Sequence, residues 1–143
     1  MSEGTYFRSY LYVPGSKPEI VEKAFNSAAD CIVIDLEDAV HHDKKVDARK
    51  FVAELLATPC QKPFLIRIND LNGQWGKADL EAICLPYLMG IRLPKVASVD
   101  TVKIAARILD QGKSQAQIHL LIESALGIAN LNLLANSDPR IAA

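Results

Sequence analysis

Five short apolar runs punctuate the chain, beginning near Tyr10, Cys31, Phe64, Ile91 and Ile118, and each is followed by a longer segment whose apolar residues recur at helical spacing. Strand then helix, repeated, is the pattern of a parallel α/β fold. The runs Cys31-Ile32-Val33-Ile34 and Ile118 with Leu120-Leu121-Ile122 are continuous rather than alternating, as expected of parallel strands covered on both faces. Pro18 suits a first helical turn ahead of the stripe Ile20, Val21, Ala24, Phe25 and Ala28. Asp43 is placed to cap a second helix that Pro59 closes. A third helix is expected from about Lys77 to Leu88, ending at Gly90; a fourth from Val99 to Leu109; a fifth from Ala125, fading at Asn136. Successive runs are separated by roughly one strand-and-helix unit. On count alone, 143 residues suit an open five-stranded, flavodoxin-like sheet better than a closed eight-unit barrel, which takes about 250.

Composition narrows the partners. Half the residues are hydrophobic, and a chain of 143 residues can bury roughly two thirds of its unfolded surface, enough for a core without disulfides. Sixteen Lys and Arg against 17 Asp and Glu give a net charge of −1, which argues against a broad basic face for nucleic acid or anionic lipid. Three cysteines, Cys31, Cys60 and Cys84, stand far apart with no Cys-x-x-Cys pair, the usage of a reduced, cytoplasmic protein. No apolar stretch approaches the ~18 residues of a membrane span.

Charged residues gather at the C-terminal ends of the runs: Asp35, Glu37 and Asp38 after the second, Arg67, Asn69 and Asp70 after the third, Lys95 after the fourth, Glu123 after the fifth. Parallel α/β folds bind ligands at that end. Arg67 interrupts Leu65-Ile66-Arg67-Ile68, and a guanidinium there needs a carboxylate, either a ligand's or a structural partner's such as Glu37 or Asp38. Glu123 closes the most apolar run, where a carboxylate is costly unless paired or bound to a cation. It is therefore the better metal candidate, although one carboxylate is not a complete protein site for magnesium. Gly15-Ser16-Lys17-Pro18 offers small residues and a cation, but lacks a phosphate-loop signature and reads first as an ordinary turn. His41 and His42 are expected to face solvent and His119 to be structural; no nucleophilic triad or activated cysteine is legible.

Five motifs in register carry a resemblance. Tyr10-Leu11-Tyr12-Val13-Pro14-Gly15-Ser16-Lys17-Pro18, Ile34-Asp35-Leu36-Glu37-Asp38-Ala39-Val40, Ile66-Arg67-Ile68-Asn69, Leu93-Pro94-Lys95-Val96 and Leu121-Ile122-Glu123-Ser124-Ala125-Leu126-Gly127 resemble the citrate lyase β-subunit-like branch of the HpcH/HpaI aldolase family. That resemblance reverses the count. It implies that residues 1–143 form the N-terminal part of a single (β/α)8-barrel lyase domain, about the first five βα units. It also implies magnesium-dependent, reversible cleavage of a 3-hydroxyacyl thioester, such as citryl-, malyl- or citramalyl-CoA or an acyl-carrier-protein thioester, into acetyl thioester and a 2-oxo acid. Arg67 matches the arginine that holds the oxo-acid carboxylate and Glu123 a magnesium ligand. Glu37 and Asp38 match the acidic pair near the metal, Tyr12, Lys17 and Lys23 match positions that contact CoA, and Lys95 falls in a family motif with no assigned role. Family members form homo-oligomers and continue into a sixth strand that supplies a second metal ligand, so little activity is expected of the 143 residues alone. Two other readings compete: a non-catalytic barrel fragment that oligomerises or binds, and an open-sheet receiver-like module. The latter would want its acidic pair after the first strand rather than the second.

Overall fold

The computed structural model describes residues 7–142. Its five strands, β1 (Tyr10–Pro14), β2 (Cys31–Asp35), β3 (Phe64–Arg67), β4 (Gly90–Leu93) and β5 (Gln117–Leu120), form one sheet in the order β1-β2-β3-β4-β5, every pair parallel. Helices α1 (Pro18–Phe25), α2 (Lys45–Leu55), α3 (Gly76–Ile83) and α4 (Val99–Gln111) fill the four crossovers, and α5 (Ala125–Ala129) and α6 (Leu131–Ala135) follow β5.

Strand order decides between the two architectures. Crossovers in a parallel sheet are right-handed, so a sequence-ordered sheet lays all its helices on one face. A doubly wound sheet reverses order partway and covers both. Here the order never reverses, and the core confirms the winding. Val13, Ile32, Ile34, Phe64, Ile66, Ile91, Leu93 and Ile118 pack in one buried cluster with Val21, Ala24, Ala48, Val52, Leu80, Ile83, Val102 and Ala105 from α1–α4. Residues alternate along each strand, and the parallel register aligns Asp35 with Arg67, Arg67 with Arg92 and Arg92 with His119 on the opposite, helix-free face. The open five-stranded sheet suggested by counting is thus replaced by consecutive units of a singly wound barrel sheet. Burial of both faces holds for β2, where all five residues are buried; in the fifth run Ile118 is buried, but Leu120, Leu121 and Ile122 are only partly so.

Several boundaries move for local reasons. Asp43 does not cap α2; it lies in a 3₁₀ turn, His42–Lys44, against the His41 ring, and α2 starts at Lys45 with no side-chain cap. The third helix stops at Ile83 rather than Leu88, because Pro86 lacks an amide donor and disfavours helix in the residue before it. Gly90 opens β4 instead of ending a helix: a Cβ there would lie 2.8 Å from Leu65 Cδ2 and 3.0 Å from the Gln117 carbonyl, so only glycine lets β4 sit between its neighbours. The fifth helical segment divides at Asn130, whose Nδ2 donates to the Ala97 carbonyl at 2.8 Å.

On its outer side β5 carries one further parallel bridge, Ile118 to Ile141, with the Ile118 amide donating to the Arg140 carbonyl (2.8 Å) and the Ala142 amide to the Ile118 carbonyl (3.0 Å). Among the described residues no helix is long and apolar enough to cross a membrane.

Candidate active site

Asp35, the last residue of β2, organises the rim. Buried to 1 % exposure, its Oδ1 accepts the Glu37 amide (2.8 Å) and its Oδ2 the Ala39 amide (2.9 Å), which curls the chain leaving the strand. The same two oxygens receive Arg67 Nε (2.8 Å) and Nη2 (2.5 Å) from the end of β3. This fork-on-carboxylate geometry is the strong form of the ion pair, and it raises the Arg67 pKa above its ordinary value. The structural partner that Arg67 requires is therefore Asp35, while Glu37 and Asp38 lie farther off, at 3.4 and 3.8 Å from Nη1.

Glu37 points into the gap between two cations. Only 5 % exposed, its carboxylate stands 3.4 Å from Arg67 Nη1 on one oxygen and 3.4 Å from Lys95 Nζ on the other, yet neither oxygen has a hydrogen-bond partner. Burial, with the nearby Asp38, pushes its pKa up, and Arg67 and Lys95 pull it back. Lys95 reaches it from a residue with φ of 55°, a left-handed backbone that side-chain-bearing residues seldom adopt and that tends to accompany functional positions.

Beneath this rim lies a network absent from the sequence reading. Lys45 Nζ, buried at the start of α2, donates to the carbonyls of Leu36 (2.8 Å) and Glu37 (2.5 Å) and to Asn69 Oδ1 (2.7 Å). Asn69 Nδ2 donates to the Leu36 carbonyl and to Asp79 Oδ2, and fully buried Asp79 also takes Arg49 Nε at 2.8 Å. Burial lowers the Lys45 pKa, but three acceptors fill its donor capacity. The network fixes the backbone that carries Glu37 and Asp38. A pocket of about 190 Å³ opens there, lined by Glu37, Asp38, Lys45, Asn69, Trp75 and Lys95 among others.

The open face of the sheet continues the charge. Tyr12 lies 5.2 Å beneath the Arg67 guanidinium, and its hydroxyl accepts Arg92 Nη1 at 2.7 Å. Of the residues expected to meet CoA, Tyr12 is thus engaged by Arg67 and Arg92, whereas Lys17 and Lys23 are exposed on the α1 segment. In the turn before α1 the Gly15 and Lys17 amides are spent on the Asp35 and Pro14 carbonyls, which favours the ordinary-turn reading.

Glu123, three residues past β5, is exposed and makes no ion pair with the described residues. The cost expected of a carboxylate closing an apolar run does not arise here, because the exit of β5 opens to solvent and leaves Glu123 exposed. No three His, Cys, Asp or Glu side chains among the described residues converge as a metal cage. Magnesium does not require one, since it takes one or two carboxylates and leaves its other positions to waters and substrate oxygens; the accessible carboxylate of Glu123 fits that demand. Cysteine chemistry is disfavoured: burial raises all three thiols, Cys31 to about 11. His119 is buried within β5, as a structural histidine would be, while His41 and His42 are both exposed, His42 with its ring edge-on to Trp75.

Comparison with known proteins agrees with this architecture. The chain is 38% identical over 138 residues to a (3S)-malyl-CoA thioesterase of Cereibacter sphaeroides, which covers 94% of this chain and 46% of that protein. It is 34% identical over 143 residues to the citrate lyase subunit beta of Escherichia coli, covering 94% and 47%. The citrate lyase beta subunit of Mycobacterium tuberculosis, solved with oxaloacetate and magnesium, superposes with a TM-score of 0.74 at 30% identity, over 91% of this chain and 53% of that one. The chain spans about half the length of the relatives it matches, and its five parallel strands correspond to that much of a TIM-barrel-like fold. The HpcH/HpaI aldolase/citrate lyase family model matches from residue 8 to residue 143, and the chain belongs to that family.

Proposed function

We propose that the rim formed by β2, β3 and β5 is one side of a carbon–carbon lyase site that reversibly cleaves a 3-hydroxyacyl thioester, of the citryl-, malyl- or citramalyl-CoA kind, into acetyl thioester and a 2-oxo acid. The observation that carries this reading is the Asp35–Arg67 fork beside the unpartnered Glu37 carboxylate, in a family whose relatives are a malyl-CoA thioesterase and citrate lyase subunits.

Asp35 holds Arg67 in one orientation, so that Nη1, the nitrogen not committed to that fork, faces the rim. There it binds the oxo-acid carboxylate. Glu37 and Asp38 balance the charge of Arg67 and Lys95, and the Lys45 network keeps them in place. Glu123 would hold magnesium, whose charge, when bound, stabilises the negative charge that develops on substrate oxygens. Lys17 and Lys23 offer exposed cations to CoA phosphates, and Tyr12 frames the open face. The same oligomer-forming lyase reading covers an acyl-carrier-protein thioester as donor.

A second reading, thioester hydrolysis, is favoured by the identity to the malyl-CoA thioesterase. Product identity separates the two. Incubated with malyl-, citramalyl- and citryl-CoA and Mg²⁺, a lyase releases acetyl-CoA and the matching 2-oxo acid in equal amounts, however slowly. The reaction should stop on chelation and in Arg67→Ala. Free CoA with the intact hydroxy acid (malate, citramalate or citrate) would select hydrolysis, and no product from any of the three would contradict both.

A further inference from the structure

Arg92 is the one guanidinium of the open face that the proposed site leaves unused. It sits in register between Arg67 and His119, and neighbouring strands lie about 4.8 Å apart. The two arginines are spent very differently. Arg67 gives Nε and Nη2 to Asp35 and turns Nη1 toward Glu37 and Asp38. Arg92 gives Nη1 to the Tyr12 hydroxyl, its Nε is buried with no partner, and no carboxylate among the described residues pairs with it. Beside it, His119 is 6 % exposed and its Nδ1 is likewise without a partner, while Nε2 stands 3.4 Å from Gln117 Oε1. Two unsatisfied nitrogens thus stand on adjacent strands and one face. The Arg92 plane is also held, 4.3 Å over the Tyr10 ring and 5.5 Å over Tyr12, so little side-chain freedom remains to be lost on binding.

We propose that Arg92, with His119 beside it, is a second carboxylate-binding position one strand along from Arg67, so that the site prefers a 2-oxo acid with two carboxylates over one with a single carboxylate. This rests on the oxo-acid reading of Arg67 and narrows its substrate class. Arg92 stands one strand along from Arg67 on the same face, and a half-buried guanidinium with no carboxylate partner among the described residues is suited to a planar, two-oxygen anion.

The test is calorimetric titration of the chain with oxaloacetate and with pyruvate, each with Mg²⁺, while the side-chain Nε–H resonances of Arg67 and Arg92 and the His119 ring are followed by NMR. Oxaloacetate should bind at least about tenfold more tightly than pyruvate, and only oxaloacetate should move Arg92 and His119 saturably. In Arg92→Met, oxaloacetate should fall to the pyruvate level with pyruvate binding unchanged. Equal affinities in the wild type, or a preference that survives Arg92→Met, would overturn the proposal. So would an Arg92 that stays silent while Arg67 responds, an outcome that leaves the lyase reading standing. If Arg67 responds to neither acid, both readings fall. Should Arg92→Met fail to fold, the wild-type resonances and the His119→Gln affinities decide.

Discussion

The two ends of the sheet treat their acidic residues in opposite ways. Around the exits of β2 and β3, strands with neighbours on both sides, Asp35 at the end of β2 and Asp79 on α3 are buried to 1 % and 0 % exposure, and each oxygen of these two carboxylates is wired to a cation or an amide. Past β5, Glu123 is exposed, and Leu126, Ile128, Leu131 and Leu133 of the following helices are 50 to 67 % exposed. A flanking strand supplies both the partner and the desolvation that give a charge one fixed orientation. On the proposed reading, the half of the site that would hold the anion is preorganised by β2 and β3, whereas Glu123, the residue that would hold the metal, stands exposed.

That contrast fails most visibly if the wired end is cut. Asp79→Ala leaves Arg49 and two Asn69 donors unpaired in the interior, and should lower stability by about 3–5 kcal/mol in urea unfolding; a loss near zero would mean the network is ornamental. Glu37 sharpens the point through its sign. Its folded pKa lies above the ordinary 4.5, so the folded state binds the proton more tightly. Stability is full below about pH 4.5 and is lost as pH rises through the folded value. Glu37→Gln should accordingly raise the urea midpoint at pH 7 and leave it unchanged at pH 4. At the β5 end the effects shrink. Ser124 Oγ accepts the Gly127 amide at 3.0 Å to cap α5, and Ser124→Ala should cost about 1 kcal/mol. Leu133→Lys, at a position 63 % exposed, should change stability by no more than about 0.5 kcal/mol.

The sequence made the repeating units and the charged rim legible because both are one-dimensional: apolar runs mark strands, and Asp35, Arg67, Lys95 and Glu123 follow them in order. What stayed hidden depends on strand order. Residue spacing cannot tell a singly wound sheet from a doubly wound one, and register alone makes Asp35, rather than Glu37 or Asp38, the partner of Arg67. Lys45 reads as half of a polar Lys-Lys pair until α2 turns it inward onto the Leu36 and Glu37 carbonyls. Arg92 sits inside an apolar run much as Arg67 does, a signal that could have drawn attention to it. The apolar run before Glu123 does not tell that its carboxylate is exposed, because burial depends on neighbouring strands.

If Arg67 at β3 holds the anion and Glu123 past β5 holds the metal, the two should contribute separately to Mg²⁺-dependent binding of pyruvate. Calorimetry of the wild type should show binding strengthened by Mg²⁺. Arg67→Lys should weaken it by about tenfold or more with and without the metal, and Glu123→Gln should abolish the Mg²⁺ enhancement alone. A Glu123→Gln chain that keeps the full enhancement, or an Arg67→Lys chain that binds pyruvate as the wild type does, would contradict this separation.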